Sequence, residues 1–422
     1  MSKKLITKLL VFIVVGALVA AACGDDSDEG VSTTTQPAGA NVATTAGGAA
    51  AAAPCDTTKP VVKVAQVYTL SGASATLGAE FGKGTETAKT QANSTGGILG
   101  RCIELVVRDD KADPTTGAQV VRQVTDEEKV SFIVGPFSST VLGATLAVSN
   151  AAKVPTATFS GLPVAGDATK YPYTFRVTPD AARNGQAFAN YVIKQGWKKV
   201  AVLAVNNTLG TSTLENMQAA LKTAGTHTPT QLFATGTIDL TTQLSQLKDQ
   251  NPDGLAFFAS AADMANAIKA RGVLNWNIPT IALPPAADPT VVKVVGIPAL
   301  NNIVVPVVAR DVMRKPGTDT LHNPKYGEFI ELMHKVLNQN PLEGSVQNLA
   351  IGYDVLMLFV SAANAIKSVD PDAIRKHLED TTYTGVQGTY KFTATDHNGV
   401  PIETLGAAKA NSFKDGSLEE AP

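Results

Sequence analysis

The stretch VSFIVGPFSSTVLGATLAVSNAAKVPTATFS spans Val130–Ser160 and contains the unit from which the fold is built. An apolar run, VSFIVG, stops at Gly135–Pro136. A segment with helical spacing follows, STVLGATLAVSNAA (Ser139–Ala152), and then a second apolar run, VPTATFS (Val154–Ser160). Short runs that are apolar on both faces and joined by a helix are strands of a parallel sheet covered on both sides. Three hydroxyl residues, Ser138, Ser139 and Thr140, sit where the first strand gives way to the helix.

The same alternation extends in both directions. Upstream lie VVKVAQVY (Val61–Tyr68), GAEFGKGTETAKTQAN (Gly78–Asn93), RCIELVVRDD (Arg101–Asp110) and DPTTGAQVVRQVTDEE (Asp113–Glu128). In the last of these Asp113 is placed as N-cap, with Pro114 as the first helical residue. After TFRVTPD (Thr174–Asp180) the series restarts with AARNGQAFANYVIKQG, KKVAVLAV and STLENMQAALKTAG, and continues to IPTIAL (Ile278–Leu283). Two successive series of similar length predict two similar lobes. Beyond NNIVVPVVA (Asn301–Ala309) the chain turns helical, through NPKYGEFIELMHKVLNQ, GSVQNLAIGYDVLMLFVSAANAIKSV and PDAIRKHLED. GVQGTYKFTATDHNGVP (Gly385–Pro401) reads as a hairpin, and a last strand is placed around Leu405–Asn411. This tail is too short and too helical for a third domain, so it is expected to complete both lobes.

A length of 422 residues suits two domains. The net charge of −2 and a charged fraction of 17% provide no basic stripe for nucleic acid. The N-terminus reads as an export signal, residues 1–22. Lys3, Lys4 and Lys8 precede the apolar run LLVFIVVGALVAAA, which ends at Cys23. AAAC followed by GDD resembles the lipobox of bacterial lipoproteins, with Ala20 standing where that motif usually has Leu. The resemblance implies lipidation of Cys23. Cleavage without lipid and an uncleaved anchor over Leu5–Ala22 remain alternatives. Each of these outcomes places the body of the chain outside the cytoplasm, and the lipid would hold it at the outer face of the cell membrane. Residues 23–59 are rich in Ala, Thr, Gly and Ser and are expected to form a disordered tether of about 30 Å mean span. Cys55 and Cys102 are then an even pair in an exported chain, which suggests a disulfide; two free thiols are the alternative.

Catalytic patterns are poor. His227, His322, His334, His377 and His397 are scattered, and none stands at zinc-ligand spacing with Cys or a carboxylate. No G-x-S-x-G elbow is present. GAEFGKG (Gly78–Gly84) has three residues between its first two glycines where a P-loop needs four, and Gly84 where that loop needs Ser or Thr. No enzymatic activity and no cofactor or metal is expected. What remains are strand-end loops rich in small polar groups: TLSGASATLG (Thr69–Gly78), GPFSST, FSGLP (Phe159–Pro163) and NNTLG (Asn206–Gly210). Ligands of open α/β sheets bind just outside the carboxyl ends of the strands, and two facing edges make a cleft.

These loops also carry a family likeness. VYTLSGASATLG, TGGILG with IELVVRDDKADP, IVGPFSST, TFRVTPD and IGYDVLMLFVSAANAI (Ile351–Ile366) resemble the leucine/isoleucine/valine-type periplasmic binding proteins, the solute receptors of ABC importers. The resemblance runs from Val61 to Asn411. It implies an α/β fold of two Rossmann-like lobes, each a parallel sheet flanked by helices, joined by a three-segment hinge around a ligand cleft. It places the lobes at 60–178 plus 307–385 and 179–306 plus 386–418, with hinges near VTPD, VVPV and GVQG. It implies a monomer that closes on a small-molecule ligand and docks on a permease.

In that family the loop matching GPFSST holds the ligand's carboxylate, which puts Ser139 at the contact position with Ser138 and Thr140 beside it. Hydroxyls and open N–H groups at a helix start suit an anion; simple N-capping by Ser139 is the alternative. Ser160 and Gly161 match a second contact loop, for which a plain turn is the alternative. The chain departs from the amino-acid binders at three places. Leu77 and Leu209 stand where Tyr is usual, and Pro285 and Ala286 fall where an acidic partner for the ligand's ammonium is expected. Ala261 completes the candidate contacts. Asp263 and Asp288 lie nearby, and both read as helix caps. The expectation is a small carboxylate or amide with an apolar body. Aliphatic amino acids proper, or a sensing module of the same fold, are the alternatives.

Overall fold

The computed structural model describes residues 53–342 and 346–422. The expected signal segment, Cys23 and most of the tether lie outside the described residues.

The first series forms β1 (Val62–Tyr68), α1 (Ala75–Ser94), β2 (Ile103–Asp109), α2 (Pro114–Asp126), β3 (Phe132–Val134), α3 (Ser139–Ala151), β4 (Thr156–Thr158) and β5 (Thr174–Arg176). Its sheet has the order β2-β1-β3-β4-β5 and is parallel throughout. β1 shows why its sequence is apolar without alternation. Val62, Val64 and Tyr68 enter one core, while Ala65 and Val67 enter another on the opposite face. Asp113 caps α2 by accepting from the Thr116 N–H at 2.6 Å, with Pro114 at the first helical position. Cys55 and Cys102 form a disulfide, with Cα atoms 5.0 Å apart at the entrances to β1 and β2.

The second series runs through α4 (Ala181–Lys194), β6 (Val200–Val205), α5 (Thr208–Leu221), β7 (Thr230–Phe233), α6 (Thr241–Lys248), β8 (Gly254–Phe258), α7 (Ala261–Val273), β9 (Thr280–Ala282), α8 (Pro289–Val295) and β10 (Ile303–Ala309). The remaining elements are β11 (Met313–Arg314), α9 (Pro324–Leu337), α10 (Val346–Ile366), α11 (Pro371–Asp380), β12 (Thr382–Thr384), β13 (Thr389–Lys391), β14 (Leu405–Lys409) and β15 (Leu418–Glu419). The second sheet has the order β14-β10-β9-β8-β6-β7, parallel except for β14, which runs antiparallel to β10. The two helix-flanked sheets are the α/β architecture that the alternation predicts.

The tail serves both sheets. α10 is long and apolar enough to cross a membrane, yet most of it is buried inside the protein. Phe359 on α10 stacks on Phe132 of β3, with ring centroids 4.7 Å apart. α10 also lies so close to α1 that a side chain on Gly84 would overlap the Leu349 carbonyl, and one on Gly352 the Phe81 carbonyl. β14 closes the edge of the second sheet.

Three expectations change. The hairpin is β12–β13, turning at Gly385–Gly388, rather than a structure built over Gly385–Pro401. The strand β10 continues through Pro306 and pairs with β14 on both sides of it, so the second sheet extends to Ala309 and the boundary at 306/307 falls inside a strand. Proline has no N–H to give the ladder, and the register shifts there. Finally, 386–400 packs on the first sheet. The Arg176 N–H donates to the His397 carbonyl at 3.0 Å, the Gly399 N–H donates to the Arg176 carbonyl at 2.9 Å, and Phe392 and His397 pack on Phe175. The chain joins the second sheet only after Val400, so GVQG is a tight turn and not a crossing.

Candidate functional site

The carboxyl ends of β3 and β4 are shaped by Gly135. Its φ of +97° is in the left-handed region, and a side chain there would overlap the Val67 carbonyl and the Tyr68 ring. The cis Gly135–Pro136 peptide leads into Phe137 and Ser138. Ser138, not Ser139, occupies the N-cap of α3, and its side chain makes no capping bond. Ser139 is the first helical residue, and its hydroxyl pairs with that of Ser160 at 3.1 Å. N-capping therefore does not explain Ser139. Ser160 is fully buried and its hydroxyl accepts from the Leu162 N–H at 3.2 Å. The Thr158 hydroxyl donates to the Pro136 carbonyl at 2.6 Å, tying the two strand ends together. Thr140 and Gly161 are exposed beside the pair.

Next to these hydroxyls stands an aromatic cluster of Tyr68, Phe81, Phe137 and Phe159, with Phe81 and Phe159 centroids 4.1 Å apart. Phe81 also forms part of the wall of a cavity of about 360 Å³ between the strand ends of the two sheets. Leu77 and Phe81 come from α1 of the first sheet. Leu209 starts α5, Ser260 and Ala261 start α7, and Pro284, Pro285, Ala287 and Asp288 lie between β9 and α8. Val308, Val312, Tyr326, Phe413, Gly416 and Leu418 complete the apolar wall, with Val346, Gln347 and Asn348 from the first turn of α10. Leu77 and Leu209 are 38% and 41% exposed, so both leucines face open space. Of the candidate contacts, Leu77, Leu209 and Ala261 line this cavity. Ala286 is fully buried, and its neighbour Ala287 takes its place. Ser138, Ser139, Thr140, Ser160 and Gly161 are not lining residues; they lie beyond the aromatic cluster.

The nearby carboxylates have distinct duties. Asp263 is buried and accepts from the Gly236 N–H at 2.8 Å and the Ser260 hydroxyl at 3.1 Å. It fastens the loop before α6, and Ser260 makes no reciprocal capping bond, so the capping box expected there is incomplete. Asp288 does cap α8, its Oδ1 accepting from the Thr290 N–H at 2.8 Å and the Thr290 hydroxyl at 2.6 Å. It also lines the cavity, so this wall is less apolar than the sequence suggests. Glu80 on α1 accepts from the Asn348 amide at 2.8 Å. Burial raises its carboxyl above the usual range, and the charge of Asp288 adds to that. Among the described residues no group of three or more His, Cys, Asp or Glu could hold a metal ion.

Gln347 and Asn348 were missed from the sequence. The available signal was a pair of adjacent amides at the head of an otherwise apolar helix.

Residues 61–416 match the family model of the periplasmic binding proteins. The chain belongs to the periplasmic binding protein family. Among its relatives in this family, Leu/Ile/Val-binding protein homolog 7 of Brucella suis is 25% identical over 340 residues, covering 75% of this chain and 80% of the relative. An amino acid binding protein of Pseudomonas aeruginosa is 29% identical over 175 residues, 39% of this chain and 44% of that protein. Two solved structures share the fold. The branched-chain amino acid transporter substrate binding protein of Streptococcus pneumoniae, in complex with isoleucine, superposes with a TM-score of 0.69 at 24% identity, covering 86% of this chain and 99% of that one. A solute binding protein from R. palustris in complex with benzoate gives 0.69 at 20% identity, with coverage of 86% and 95%.

Proposed function

We propose that this periplasmic binding protein is the extracytoplasmic receptor of an ABC importer, capturing a small organic solute with an apolar body and delivering it to the permease. The cavity carries this reading. It is fed by strand-end loops of both sheets, its walls are mostly apolar, and its volume of about 360 Å³ suits a small molecule. The lobes would be 60–178 with 310–400, and 179–309 with 401–418. The crossings then lie near Pro179, Arg310 and Pro401, and bending there would close the lobes on the solute. The hydroxyl pair of Ser139 and Ser160 has the chemistry to meet a carboxylate or amide end, but it does not line this cavity. Aliphatic amino acids are the second reading, favoured by Asp288 on the cavity wall and by the Leu/Ile/Val-binding name of the Brucella relative.

The test is mass spectrometry of the solute released from purified protein, followed by calorimetry with leucine, valine and the matching acids that lack the amine. Release of a small apolar-bodied solute that rebinds stoichiometrically is expected. A protein that neither carries nor binds any such molecule sinks the receptor reading. We further propose attachment to the outer face of the membrane through a lipid on Cys23; labelled fatty acid should enter the native chain and be absent from Cys23→Ser.

A further inference from the structure

The chain past β14 does more than finish the second sheet. Up to Asn411 it stays with that sheet: the Ala410 N–H donates to the Ile303 carbonyl at 3.0 Å, and the Asn411 amide donates to Asn301 Oδ1 at 2.9 Å. From Ser412 it leaves for the first-sheet side, where α9 packs on α10 through Phe329 and Tyr353. There the Tyr326 hydroxyl of α9 donates to the Gly416 carbonyl at 2.8 Å. Asp415 Oδ1 accepts from the Leu342 N–H at 2.9 Å and lies 2.8 Å from His334 Nε2 of α9. Gly416 sits so close to the head of α10 that a side chain there would overlap Val346. The loop is moulded around the buried guanidinium of Arg314, which donates to the Ser412 carbonyl at 2.6 Å and to the Ser417 carbonyl and hydroxyl at 3.0 and 2.7 Å. The chain then returns. β15 pairs with β11, and the Ala421 N–H donates to the Ala407 carbonyl of β14 at 2.6 Å.

The segment after Asn411 is thus a loop rooted at both ends in β14, with a tip that grips α9. It joins the two sides once more, by non-covalent bonds, beyond the crossings near Pro179, Arg310 and Pro401. It also bounds the solute cavity, which Phe413, Gly416 and Leu418 line together with Tyr326. If the two sides move apart, the bonds between this tip and α9 must break.

We propose that the loop Ser412–Leu418 is a clasp that holds the solute cavity shut, with Asp415 as the positioning residue that fastens it to α9. The use of the clasp rests on the receptor reading above: a captured solute leaves when the tip lets go of α9, and Phe413 and Leu418 withdraw with it. The grip is uneven. Lys414 reaches Asp319 at 2.7 Å, but both side chains are mostly exposed, and such a pair contributes little. Asp415 serves two donors, and its partner His334 is largely buried, so losing this carboxylate leaves donors without an acceptor.

The test is double electron–electron resonance on the full chain with no solute added. Nitroxides are placed on Thr115→Cys and Ile238→Cys, both exposed, one in the half built on each sheet. A Cys23→Ser background leaves these as the only thiols outside the disulfide. The native chain should give one dominant, short distance. Asp415→Ala should raise the longer-distance form about tenfold. Asp415→Asn, which keeps an acceptor oxygen, should move back towards the native distribution, and Lys414→Ala should match it. Thermal melts verify that each variant is folded. Should Asp415→Ala fail to fold, Tyr326→Phe deletes one bond of the grip and carries the same expectation. A native distribution dominated by the long form, an unchanged distribution in the folded variant, or an equal shift in Lys414→Ala overturns the clasp. Any of these leaves the receptor reading standing, since release of a solute in mass spectrometry tests that reading separately.

Discussion

Asp354 is the one acidic residue within α10, and the fold hides it completely. Its carboxylate accepts from the Val386 N–H at 2.8 Å, the Gln387 N–H at 2.9 Å and the Tyr390 hydroxyl at 2.8 Å. Gly385 sits against it, where any side chain would overlap the carboxylate. Burial outweighs the three donors and pushes its pKa up to about 6 from the usual 3.8. Between those values the folded state holds more of this proton than the unfolded chain does, so the contribution of Asp354 to stability falls as pH rises through that window. Asp354→Ala leaves three buried donors without an acceptor and should cost about 3 kcal/mol or more by urea unfolding. The gap between native protein and variant should be wider near pH 4 than near pH 7; a gap that widens with rising pH would contradict this account. A lone Asp in an apolar helix is conspicuous in the sequence, but its partners arrive some thirty residues later and cannot be read there. The same limit applies to Ser139. The sequence marks it as a strand-end hydroxyl, while its bond to Ser160 depends on β3 and β4 lying side by side.

At the level of elements, α1 and α10 pack almost backbone on backbone. Thr85 donates to the Gly352 carbonyl at 2.9 Å, and Gly84 and Gly352 allow the approach that makes this bond. Gly84→Ala or Gly352→Ala should force the helices apart and destabilise the protein by about 1–3 kcal/mol in denaturant titrations. Because α1 and α10 also supply Glu80 and Asn348, solute affinity should fall in the same variants. Strands and helices were largely legible, since their apolar runs and caps are local. The hairpin was not. Asn398–Gly399 has the composition of a hairpin turn, but the segment is drawn onto β5 by buried Phe392 and His397, and the true turn lies at Gly385–Gly388. Where the chain crosses between sheets is likewise a matter of tertiary packing, and it moved from GVQG to the vicinity of Pro401.

Across the whole molecule, the disulfide and the cavity sit at opposite ends of the first sheet. Cys55–Cys102 joins the chain at the start of β1 and β2, whereas the cavity gathers residues from beyond the strand carboxyl ends. A double change to Cys55→Ser and Cys102→Ser should therefore lower stability by about 2–4 kcal/mol, read as a fall in melting temperature, and leave solute affinity unchanged. Solution scattering provides the complementary measurement. If the lobes close on their ligand, saturating solute should reduce the radius of gyration of the native chain, and an identical profile with and without solute would argue against closure.

The placement of α10 and β14 also governs the order in which the protein can come into being. The first sheet needs Phe359 and its helix to cover one face, and the second needs β14 to close its edge. Both arrive in the last fifth of the chain. A ribosome that has delivered the first 340 residues has therefore made one sheet with an uncovered face and another with an open edge. Such a chain completes both sheets late, a schedule compatible with passage through a membrane before folding.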